Sequence, residues 1–143
     1  MNLVQAGIEI EDLNYDGAEL HLELRASNGS FVGTMDLYCN EEDLIQFGND
    51  LQRFPKSSRD TATFELGEDN EIWAHYLCIK AHVIDGVGHS ALRLTLSTRS
   101  TGPWGGRAEF EILSEPASLN RFGKELAIWA KDRGEILSWQ PGA

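Results

Sequence analysis

His75, His82 and His89 recur at intervals of seven, and imidazoles joined by the nearby thiol of Cys78 are zinc-binding groups. On extended backbone an odd spacing sends His75 and His82 to opposite faces, so the triad cannot share one ion. A two-residue loop at Asp85-Gly86 would instead set His82 directly opposite His89, with Cys78 on the same face and Arg93 beside it. No carboxylate is placed in this pattern to orient the two imidazoles, as second-sphere groups do in metal centres. A half-exposed cross-strand pair explains His82 and His89 more simply. They remain the candidate metal pair, and neither a metal nor another cofactor is expected.

The other reactive residue types carry less. Cys39 precedes the acids Glu41, Glu42 and Asp43, which oppose thiolate formation, so a buried structural thiol is expected. Glu109 and Glu111 share one face of an alternating strand whose other face carries Ala108, Phe110 and Ile112, and together with Glu115 they read as surface positions rather than an acid–base pair. The glycine-rich segment GPWGG lacks the Lys-Ser/Thr pair of a phosphate-binding loop. With no nucleophile–base arrangement either, a non-enzymatic role is expected.

Charge says more. The 143 residues hold 23 acids against 12 bases, a net charge of -11, which disfavours nucleic acid and anionic membranes as partners. Residues 1–52 hold eleven of the acids and a single base, Arg25. Such a surface promotes solubility, and it also attracts a basic partner. Glu19 and Glu23 are the binding candidates on this half. In the second half Trp104, flanked by Arg99 and Arg107 in a loop longer than a hairpin needs, is a further candidate, since Trp and Arg are frequent interface anchors.

The elements that must position these residues alternate clearly. LHLELRA (Leu20 to Ala26) runs into Asn28-Gly29, a strong hairpin signal. That loop would pair Ala26 with Phe31, Leu24 with Gly33, Leu22 with Met35 and Leu20 with Leu37, placing apolar residues on one face. A strand near Ile8 to Leu13 comes before this hairpin. Asn40 then caps a helix over residues 41–54, with Leu44, Phe47, Gly48 and Leu51 forming its apolar stripe. A strand at Thr61 to Leu66 follows. With the Asp85-Gly86 loop, Ile79 would face Leu92 and Leu77 would face Leu94. A strand from Arg107 to Leu113, a helix over 116–131 capped by Ser114, and a short strand within Glu135 to Trp139 complete the pattern.

The stretches DLIQFGNDLQRFP and SLNRFGKELAIWA lie 75 positions apart and carry Leu, Phe-Gly and Leu at the same places. Each half therefore reads as a βββα pseudo-repeat, residues 8–55 and 72–131, within a single domain of 1–143. Glycine in mid-helix costs about 1 kcal/mol relative to alanine, so Gly48 beside Phe47 and Gly123 beside Phe122 call for a packing reason. The fold class is α+β, with antiparallel sheets and two helices packed on their apolar side. The apolar runs are too short for a membrane span, the first residues lack a signal-peptide pattern, and two cysteines are too few for a disulfide framework. A cytoplasmic location is expected.

The segments DLYCNEEDLIQFGNDLQRFP, AHVIDGVGHSALRLTLSTRSTGPWGGRAEFEI and LNRFGKELAIWAK, spanning about residues 30 to 131, resemble a group of small uncharacterised bacterial proteins. Some similarly built ones look like immunity proteins of bacterial toxin systems. The resemblance implies a bacterial cytoplasmic binding protein with no catalytic residue carried over, and the charge pattern adds the reading of a protein-binding module, an immunity protein whose acidic N-terminal half covers a basic toxin surface. The alternative is a small-molecule or carbohydrate-binding domain using Trp73, Trp104 and His82. A homodimer stays open under either reading.

Overall fold

The computed structural model describes residues 5–13, 19–69, 75–98, 103 and 105–142. Among them the chain forms β1 (Gly7–Asp12), β2 (Leu20–Ser27), β3 (Val32–Cys39), α1 (Glu41–Gln52) and β4 (Thr61–Leu66). Then come β5 (His75–Val83), β6 (Ser90–Thr98), β7 (Gly106–Ser114), α2 (Pro116–Trp129) and β8 (Leu137–Trp139). The eight strands make two antiparallel sheets, ordered β3-β2-β1-β8 and β4-β5-β6-β7. This is the α+β class that the alternating runs and short loops predict.

Both predicted hairpins form, each with its partners displaced by two residues. In the first, Leu24 faces Met35, Leu22 faces Leu37 and Leu20 faces Cys39. The turn centres on Gly29 and Ser30, with Gly29 at a φ of 94°, and the Asn28 side chain accepts hydrogen bonds from the Ser30 and Phe31 backbone N–H groups. Asn28 thus braces the turn from its flank instead of occupying its centre. In the second, Ile79 faces Leu94 and Leu77 faces Leu96. The Asp85 carboxylate accepts from the Val87 and His89 N–H groups, and Gly88 supplies the positive φ. A shift of two preserves the face of every side chain, so the predicted core survives while the opposed pairs change.

The helices end two residues earlier than predicted. At the start of α1, Asp43 accepts a hydrogen bond from the Asn40 N–H at 3.0 Å, one half of a capping box. The cap of α2 is Glu115 and not Ser114, which closes β7 and donates its hydroxyl to the Glu115 carbonyl. From α2, Asn120 Nδ2 reaches the carbonyls of Leu51 and Phe54 at 2.7 Å each. It bonds the Phe54 carbonyl just beyond α1 and adds a second donor to the Leu51 carbonyl, which also accepts from the Phe54 N–H.

The last strand of each half joins the other half's sheet: β4, which follows α1, pairs with β5, and β8, which follows α2, pairs with β1. Exchanging β1–β4 with β5–β8 maps one strand order onto the other, an agreement of topology. One core lies between the sheets and the helices, containing Leu22, Leu24, Leu51, Leu77, Leu92, Leu94, Phe122 and Leu126, all essentially fully buried. Each such side chain contributes about 1.5–3 kcal/mol through burial. Trp139 of β8 stacks on Phe122 with ring centres 4.9 Å apart and donates its indole N–H to the Ser118 carbonyl.

Gly48 and Gly123 are buried where the helices cross. A β-carbon on Gly48 would lie 2.7 Å from the Gly123 carbonyl oxygen, and one on Gly123 would lie 2.5 Å from the Gly48 carbonyl oxygen and 2.6 Å from Leu51 Cβ. Each glycine therefore makes room for the other's backbone. Phe47 and Phe122, beside them, are buried in the core, with Phe47 against Phe64 of the second sheet.

Candidate functional site

With its apolar residues turned inward, the first sheet presents Glu9 and Glu11 of β1, His21, Glu23 and Arg25 of β2, and Thr34, Asp36 and Tyr38 of β3 on its outer face. The strand registers place Glu11 opposite Glu23, and Glu23 opposite Asp36. Three carboxylates therefore form one cross-strand row. Like charges directly opposed on a sheet destabilise it, so the row has an electrostatic cost. Arg25 offsets part of it, with Nε 3.3 Å from Glu9, Nη2 3.6 Å from Glu11 and Nη1 bonded to Glu23. Burial works against the Arg25 charge, yet Glu23, Glu9 and Glu11 together raise its pKa.

Asp36 lies beyond this guanidinium. Its carboxylate is 3.4 Å from His21 Nε2, is about half exposed, and His21 in turn stacks on Tyr38 at 4.4 Å. Of the predicted acidic candidates, Glu23 stands at the centre of the row and Glu19 is exposed just before β2. The composition of the N-terminal half signals this face. Glu11 and Asp36, which complete it, could be found only from the strand register.

The second sheet is balanced in charge on its outer side. Arg107 forms a bidentate pair with Asp69 at 2.7 and 3.0 Å and also contacts Glu109 at 3.0 Å, which pushes its pKa upward. Its guanidinium is occupied within the chain. Arg93 lies 3.3 Å from Glu111 and 3.8 Å from Glu109. Glu109 and Glu111 are surface carboxylates as expected, but each is held in ion pairs. Trp104, Arg99 and Trp73 lie outside the described residues, so the loop anchor and the aromatic ligand face have no structural description.

The His82–His89 candidate is corrected by the register: His82 faces Ala91, because the β5–β6 loop is two residues longer than predicted. Each imidazole also has a carboxylate partner, contrary to the sequence reading. His82 Nε2 is 2.9 Å from Glu111, and His89 Nδ1 is 2.5 Å from Asp85. Hydrogen bonding to Asp85 raises the His89 pKa and lowers that of Asp85. Among the described residues no three His, Cys, Asp or Glu side chains are grouped to hold a metal ion.

Both cysteines are free thiols. Burial, followed by the nearby charges of Asp43 and Glu19, pushes the Cys39 thiol up to about 12, the opposite of an activated nucleophile. Cys78 is also raised, first by burial. Beside the β3 edge lies a cleft of about 240 Å³ bounded by Met35, Asp36, Leu37 and Tyr38 on one wall and Leu66, Gly67, His75 and Leu77 on the other. It is smaller than pockets that enclose drug-sized ligands, about 300–1,000 Å³.

No helix among the described residues is long and apolar enough to cross a membrane. No protein-family model, curated protein or solved structure matches the chain.

Proposed function

We propose that the protein is a non-catalytic binding module that holds a basic protein surface against the outer face of its first sheet, in the manner of a bacterial toxin-immunity protein acting in the cytoplasm. The observation that carries this reading is the Glu11–Glu23–Asp36 row, in which Arg25 engages Glu11 and Glu23. Arg25 offsets only part of the repulsion between these carboxylates, whereas a cationic partner would be drawn to them. Confinement of nearly all the net charge to the half that builds this face supports the same reading.

A non-catalytic role is supported by the state of the groups that could do chemistry. Glu109 and Glu111 are engaged by arginines, and the Cys39 thiol is raised far from neutrality.

The test is capture from a lysate of the source organism on immobilised protein, with mass spectrometry of what is retained. Wild type should retain a basic protein at low salt and release it as salt screens the charges. The double variant Glu19→Lys/Glu23→Lys should retain less. Equal retention by both proteins would contradict the proposal.

A further inference from the structure

Among the described residues β3 is an edge of the first sheet, with no strand paired on its outer side. The Asn28 N–H to Phe31 carbonyl bond closes the hairpin, and ladder bonds alternate along an antiparallel pair. Gly33, Met35 and Leu37 therefore turn their backbone groups toward β2, while Thr34, Asp36 and Tyr38 turn theirs outward. Among the described residues none of these three has a backbone hydrogen bond beyond the sheet. Natural edges are commonly blunted by lysine, proline, a bulge or a very short strand. β3 is eight residues long and carries one charged side chain, Asp36.

The surroundings define what would fit. The 240 Å³ cleft is lined by four consecutive β3 residues, Met35 to Tyr38. Consecutive residues point to opposite faces, so a space touching all four lies along the strand's edge and not above either face. Its far wall offers Leu66 and Leu77 to an inward-pointing apolar side chain. On the outer face, the carboxylate row runs β1, β2, β3 and stops at Asp36, so an added strand would supply the fourth position. Charge complementarity requires a cation there. On the inner face, Leu96 packs beneath Gly33, with its methyl carbons 3.3 Å from where a β-carbon would lie.

We infer that β3 binds an extended segment of a basic protein by strand addition, with Lys or Arg at alternate positions beside Asp36 and apolar residues between them entering the cleft. This inference rests on the acidic-face reading and names the element of the partner that is recognised. A second copy of this chain fits less well, because pairing β3 with itself would bring two acidic rows together.

The test uses the full chain and the capped peptide Thr-Lys-Val-Lys-Leu-Lys-Thr, followed by NMR and amide exchange. Binding should slow exchange of the Thr34, Asp36 and Tyr38 amides. Of two peptides N-methylated on alternate sets of residues, one should bind at least about tenfold more weakly, having lost the bonds to the edge, and the other should still bind. Thr34→Pro removes an outward donor without touching the β2 ladder and should also weaken binding at least about tenfold. If that variant does not fold, Tyr38→Pro, which removes another outward donor, gives the same readout. Peptide binding without protection of those amides, or tolerance of both methylation patterns, overturns strand addition while leaving the acidic face intact. So does absence of binding at about 1 mM peptide, the weak limit for a short segment, if lysate capture succeeds. Failure of both experiments rejects the acidic-face reading as well. A dimer in sedimentation that Thr34→Pro dissociates would assign the edge to self-association and overturn the inference.

Discussion

Arg25 is the one base among the first 52 residues, and its guanidinium meets Glu9, Glu11 and Glu23 while Asp36 lies with His21. Asp36 therefore faces Glu23 across the strands without a share of the arginine. Replacing Asp36 with Asn should leave stability to urea unchanged or raise it by about 0.5 kcal/mol, the scale of one opposed like-charge pair. A lowered midpoint would show that Asp36 serves the fold. His89 offers a second test at this scale. Asp85 raises its pKa above the ordinary 6.5, so its NMR titration midpoint should lie above that value and fall on Asp85→Asn. The pair's stabilising effect has a defined window. The His89 part is full below 6.5 and is lost as pH rises through its raised folded value; the Asp85 part is present above 3.8 and is lost as pH falls through its lowered one. Both act fully between those limits. A His89 midpoint indifferent to Asp85→Asn would contradict the contact.

Among the elements, helices and strand faces were legible because they are local: Leu44, Phe47, Gly48 and Leu51 mark one stripe, and alternation marks each sheet face. Exact pairing was not, because Asn28 and Asp85 brace their turns from the side and move each loop centre forward by one residue. That small shift decides the candidate site. With the loop at Asn28-Gly29, Glu23 would face Thr34; in the structure it faces Asp36 and completes the row. The recurring Phe-Gly pairs did signal a packing need, and the structure identifies it as the crossing of α1 and α2. Gly48→Ala and Gly123→Ala should each destabilise the protein by about 1–3 kcal/mol, since the added methyl meets backbone that cannot move aside. Similar losses are expected because the contacts are reciprocal. Stabilisation by either substitution, the usual result at an exposed helical glycine, would mean that the helices do not cross there.

In the whole molecule, the exchange of β4 and β8 between sheets ties the two halves into one core. That exchange has no local signal: β8 pairs Trp139 with Ile8, at opposite ends of the sequence. The charge asymmetry was visible in composition alone, but composition does not say whether the acids are scattered or aligned. The fold aligns Glu11, Glu23 and Asp36 on the first sheet, while Asp12 and Glu41 pair with Arg133 and the carboxylates of the second sheet pair with Arg93 and Arg107. If that face steers a basic partner, exposed charge should act mainly on the encounter. The decisive measurement is the association rate of the captured partner between about 50 and 500 mM NaCl, a range that spans strong to weak screening. The rate should fall steeply with salt, and Glu19→Lys/Glu23→Lys should slow association more than it speeds dissociation. A rate independent of salt, or a variant that associates as fast as wild type, would contradict the binding of a basic partner through this face.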